Sequence, residues 1–74
     1  MSDHLFNVVW GWKDSNWNVP VERPMLIRRD REACLQYVEN YFSSFGEPKA
    51  LNYWEAPADQ PGCIQYVKIE RCSR

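Results

Sequence analysis

Residues 31 to 45 are the only stretch of this chain whose apolar residues recur at helical spacing, and that limits what the rest can build. Cys34, Val38, Tyr41 and Phe45 centre an apolar stripe flanked by Leu35, Tyr37 and Phe42. Glu32, Gln36, Glu39, Asn40 and Ser43 gather on the opposite side. Asp30 is the expected N-cap, and Glu32 complements the positive end of the helix dipole. Gly46 offers a left-handed C-cap and Pro48 blocks continuation. A helix with one apolar stripe needs one apolar sheet face beneath it.

The remaining apolar segments read as strands. Leu5 to Trp12 alternates, with Phe6, Val8, Trp10 and Trp12 on one face and Leu5, Asn7, Val9 and Gly11 on the other. The thin face at Gly11 suits close approach of the helix or another backbone. Lys13 to Asn16 is a turn cluster, and Trp17 to Val21 begins a return in which Pro20 removes a ladder donor. Met25 to Arg29, after Pro24, is a short second strand or its continuation. Lys49 to Glu55 is a third strand, Ala56 to Gly62 a proline-rich loop, and Cys63 to Arg71 the last strand. Neither face of that last strand is cleanly apolar, so its orientation stays open.

The order is β-β-α-β-β. The expected fold is therefore an α+β two-layer sandwich: a small antiparallel sheet with one amphipathic helix on one face, forming a single domain over residues 1–74. At 74 residues the chain sits near the lower size limit for folding without a staple, and its 15% aromatic content supplies much of the burial.

Four tryptophans, Trp10, Trp12, Trp17 and Trp54, accompany four tyrosines and three phenylalanines. One helix shields one side of a sheet, so the surplus of indoles implies an aromatic sheet face that meets something. Six arginines against three lysines fit the same reading, because contact surfaces favour arginine and aromatic residues over lysine. Trp10, Trp12, Trp17 and Trp54 are thus the candidate partner-binding residues. Trp17 and Trp54 are the expected anchors, and Arg28 or Arg29 stands at the rim.

Other chemistries are weaker. Cys34, Cys63, Cys72 and His4 have the ligand types of a zinc site but lack the close C-x2-C pair that such sites use. Cys63 and Cys72, if on one strand, lie roughly 30 Å apart, too far for a disulfide. Free thiols are expected, and no catalytic residue, cofactor or metal is assigned. Glu55 and Asp59 resemble solvated loop acids rather than an acid–base pair.

A net charge of −1 argues against a general polyanion binder. Stacking by Trp10, Trp12, Trp17, Tyr53 and Tyr66, with charge from Arg28, Arg29, Arg31 and Lys68, keeps a single-stranded nucleic-acid module as the alternative. A zinc-stabilised domain is the second alternative. The absence of a long apolar run, of a leader-like N-terminus and of an even cysteine count point to the cytoplasm. The resulting expectation is a non-enzymatic protein-interaction module, or a small accessory or inhibitor protein, with a protein partner or a second copy of itself on the aromatic face. On size and loose patterning alone, such chains are typical of phage- and plasmid-encoded factors.

Overall fold

The computed structural model describes residues 4–14, 21–59 and 62–72. Four strands, β1 (Phe6–Asp14), β2 (Val21–Arg29), β3 (Tyr53–Pro57) and β4 (Cys63–Arg71), form one antiparallel sheet in the order β2-β1-β4-β3. The helix α1 (Arg31–Tyr41) follows β2, and a 3-10 turn over Ser43–Phe45 leads toward β3. The expected two-layer α+β architecture and the hairpin between the last two strands are both present.

β1 and β4 are the central pair because they carry the chain's densest β-branched and aromatic runs. Their register pairs Val8 with Ile69, Trp10 with Val67 and Trp12 with Gln65, while Trp54 pairs with Val67 from the other side. Directly opposed residues share a face. That settles the orientation of β4: Cys63, Gln65, Val67 and Ile69 lie on the helix side, and Ile64, Tyr66, Lys68 and Glu70 on the reverse.

The core forms where α1 crosses this face. Val8, Val67 and Cys34 are fully enclosed, with Val38, Trp54 and Ile69 around them. Phe6, Trp10, Leu26, Leu35, Tyr37, Phe42 and Phe45 pack on the periphery. Phe42 and Phe45 meet edge to face, with centroids 5.5 Å apart. Asp30 caps α1 as its sequence demands, its Oδ1 accepting the Ala33 N–H at 2.8 Å.

Several boundaries differ from the sequence reading. The α-helix ends at Tyr41, because Phe42 adopts φ −129° and the chain tightens into the 3-10 turn. Gly46 has the positive φ expected of it, 78°, but terminates that turn rather than the helix. β3 starts at Tyr53 instead of Lys49, since Asn52 at φ 60° reverses the chain just before it. Val21 to Met25 belongs to β2, which runs through Pro24 as an edge strand.

β2 also carries two irregularities. Phe6 pairs with Arg29, Val8 with Leu26 and Val9 with Pro24, so β2 twice spends an extra residue against β1. Arg28 sits in the first of these at φ 58°, and its N–H reaches Asn7 Oδ1 at 3.0 Å.

Candidate functional site

A strand of nine residues extends about 30 Å, whereas a helix of eleven covers about 16 Å. The sheet therefore outreaches its cover. α1 sits over the Phe6 and Val8 end of β1; Trp10 stands at the border, and Trp12 lies beyond the core cluster. At the end that α1 does not reach, a cleft of about 360 Å³ is lined, among the described residues, by Trp10, Trp12, Ala58, Asp59 and Gln65.

The cleft is braced. Trp10 Nε1 donates to Gln65 Oε1 at 3.2 Å, and Gln65 Nε2 donates to the Pro57 carbonyl at 3.2 Å. One carboxamide thus fixes the Trp10 indole to β4 while tying β4 to the end of β3. Asp14, on the same face, accepts the Cys63 thiol at 3.5 Å. Burial, with the Asp14 carboxylate beside it, pushes the Cys63 thiol up; burial does the same to Cys34. Both remain protonated at neutral pH, which makes them poor nucleophiles.

The reverse face is occupied differently, and here the expectation about the indoles is corrected. Trp10, Trp12 and Trp54 all lie on the helix side, because alternation along β1 and register across β4 place them there. The reverse presents tyrosines. Tyr53 and Tyr66 stack at 5.8 Å between centroids, and the Lys13 ammonium lies 5.5 Å from the Tyr66 ring centre. Tyr66 donates to Glu22 at 2.5 Å and Tyr53 to Glu55 at 2.6 Å.

Ion pairs complete this layer: Lys68 with Glu22 and Glu70, and Lys13 and Lys49 with Glu55. The tyrosine hydroxyls hold Glu22 and Glu55 below the usual carboxylate range. Burial, followed by Glu55, pushes Tyr53 up to about 12. This face spends its polar groups on itself. The Gly11 face is likewise not where the helix docks; the Tyr66 ring fills the space that the missing side chain leaves.

The candidate residues scatter as follows. Trp10 and Trp12 meet in the cleft. Trp54 is 7% exposed, an element of the core and not a projecting anchor, because β3 lays it under α1 beside Val38 and Val67. Its remaining edge floors a second groove, of about 490 Å³, with Leu35, Val38 and Phe42. Trp17 lies outside the described residues.

Arg28 and Arg29 are exposed but stand at the opposite end of the sheet, where Arg29 pairs with Phe6 and Phe6 with Arg71. Trp12 and Phe6 are six residues apart on β1, roughly 20 Å, so these arginines cannot rim the indole cleft. They form instead a basic end with Arg31, Arg71 and His4, in which Arg71 Nη2 lies 2.7 Å from His4 Nδ1.

Sequence reasoning passed over Gln65 and set Asp59 aside as a solvated loop acid. The signal for Gln65 was a polar residue on the otherwise apolar face of a central strand, where it needs partners. Among the described residues no group of three or more His, Cys, Asp or Glu side chains is placed to hold a metal. No described helix is long and apolar enough to cross a membrane. No family model, curated protein or solved structure matches the chain.

Proposed function

We propose that this chain is a non-enzymatic protein-interaction module that meets its partner with the overhanging end of its helix-side face, centred on Trp10 and Trp12. The observation that supports this reading is the mismatch between sheet and helix. It leaves two indoles half-buried beside a braced cleft, where a monomeric domain of this size gains by covering them. Val21, 43% exposed and opposite Trp12, widens the apolar surface toward the β2 edge. Tryptophans at the edge of a preformed pocket are frequent energetic centres of protein contacts. Through them the chain occludes or bridges a surface of its partner.

A stacking platform for single-stranded nucleic acid fits less well. It requires several basic side chains along one groove with the aromatic rings, and here Arg28, Arg29, Arg31 and Arg71 lie at the end of the sheet away from the indoles, with Arg23 alone among the described arginines opposite Trp10.

The test is affinity capture from the lysate of the source organism with three forms of the chain: wild type, Trp12→Ser, and Tyr41→Ser as a control on the exposed helix surface. A species held by the wild type and by Tyr41→Ser, and released by a folded Trp12→Ser, supports the reading. Equal capture by all three forms overturns it.

A further inference from the structure

β2 is an outer strand of the sheet, and every residue of it except Leu26 is exposed. Leu26 packs on the core periphery, while Met25 and Ile27 on either side of it stand 41% and 54% exposed. The two register slips account for this. Met25 is the extra residue between the Val9–Pro24 and Val8–Leu26 pairs, and Ile27 and Arg28 fall together between Val8–Leu26 and Phe6–Arg29. Neither Met25 nor Ile27 has a paired residue on β1, and a bulge re-aims the side chains it releases.

The cations beside these two residues are not neutralised. Arg23, Arg28 and Arg29 are exposed and make no ion pair among the described residues, whereas Lys13, Lys49 and Lys68 are all paired. The Arg29 guanidinium folds back to the Ile27 and Arg28 carbonyls, at 3.4 and 3.5 Å, which places it beside the exposed isoleucine. The nearest acids along the chain are engaged elsewhere: Glu22 with Tyr66 and Lys68, Asp30 with the Ala33 N–H. Glu32, in the first turn of α1, is the remaining acid of that stretch, set against Arg28, Arg29 and Arg31.

Apolar side chains among such arginines suit a protein surface better than a phosphodiester chain or a lipid headgroup layer. Contacts between proteins favour Met and Arg over Lys, and a guanidinium matches a carboxylate with two parallel hydrogen bonds. β2 carries no aromatic ring to stack a base or to anchor at a lipid interface. Pro24 and both slips interrupt its backbone, so a partner meets side chains and does not extend the ladder. We propose that the Met25–Ile27 rim, with Arg23, Arg28 and Arg29, receives an acidic segment of a partner protein that sets an apolar side chain between carboxylates. This surface is separate from the indole cleft, and neither requires the other.

The full chain, labelled with nitrogen-15, is titrated with a capped Glu-Glu-Leu-Glu-Glu peptide. Two control peptides carry Gln for every Glu, or Ser for the Leu. The acidic peptide is expected to move the backbone amide signals of Met25, Ile27, Arg28 and Arg29, and added salt should weaken it. Its affinity should fall about two- to fivefold in Arg29→Gln and by a similar factor in Arg28→Gly, as for exposed ion pairs. Glycine suits the φ of 58° at position 28, so that variant removes the charge and keeps the fold. Ile27→Ser should weaken the leucine peptide and leave the serine peptide unchanged.

Equal binding of the glutamine peptide, equal binding of the serine peptide, or an absence of shifts at Met25 to Arg29 each overturns the inference. Tighter binding of an oligothymidylate or of phosphatidylserine vesicles than of the acidic peptide assigns the rim to another class of partner and overturns it too. The peptide reads the rim and the Trp12→Ser capture reads the overhang, so either proposal can fail while the other stands.

Discussion

The Tyr66 ring lies so close over Gly11 that a Cβ at position 11 would stand 2.1 Å from Tyr66 Cζ. The two strands pair at these residues, and the ring, only 4% exposed, takes the volume that glycine vacates. Gly11→Ala therefore has to displace a buried aromatic ring whose hydroxyl is engaged with Glu22. A loss of about 1–3 kcal/mol is expected from urea unfolding, the range for overpacking a filled site. A Tyr66→Val background should recover part of that loss, because the clashing atoms are the distal ones of the ring.

Acid should weaken the fold through the reverse face. Tyr66 and Tyr53 depress Glu22 and Glu55 below their ordinary value of 4.5. A depressed carboxylate adds stability that is complete above its unfolded pKa and is lost as pH falls through its folded one. The midpoint of thermal unfolding should accordingly drop as pH falls below about 4.5, the ordinary glutamate value. Glu22→Gln and Glu55→Gln should each flatten that descent.

The alkaline side has the opposite sign. Tyr53, raised from 10.0 to about 12, contributes stability that is present below its unfolded value and disappears as pH rises through the folded one. Unfolding midpoints measured from pH 9 upward should decline across roughly that interval, and Tyr53→Phe should remove this share of the decline. Following tyrosinate absorbance in the same samples ties the change to ionisation.

Two tryptophans of the same composition should behave unlike each other. Trp54→Ala opens a cavity under α1 and should cost about 3–5 kcal/mol, a large part of the stability of a small domain. Trp12→Ala, outside the core cluster, should leave the midpoint much closer to wild type. Comparable losses in the two variants would mean that the overhang is structural rather than free for contact.

At the helix start, Asp30→Ala removes the acceptor of the Ala33 N–H and should cost about 1 kcal/mol in denaturant unfolding, while Asp30→Ser should retain most of it.

The elements legible in the sequence were those with strong local signals. The helix start at Asp30, the alternation of β1 and the span of β4 all follow from capping chemistry and period-two patterning. β4's orientation was not legible, because Tyr66 is buried on the reverse face and Gln65 half-buried on the helix face, which inverts the usual rule for tyrosine and glutamine. Only the long-range partners, Gly11 and Trp10, explain it. The site was half legible. The paired indoles of β1 were visible from alternation, but the fate of Trp54 depends on β3 lying next to β4 under the helix, and no local spacing encodes that. Asp59 entered the cleft through the hairpin closure between β3 and β4, again a tertiary event.

The outer strand β2 has one more consequence. Its free rim is interrupted by Pro24 and by two register slips, with Arg28 held at a backbone angle foreign to a regular ladder. A second chain seeking to zip alongside finds missing donors and a positive charge where it needs an even row of amides. Pairing of a further strand along this border is disfavoured by the backbone itself.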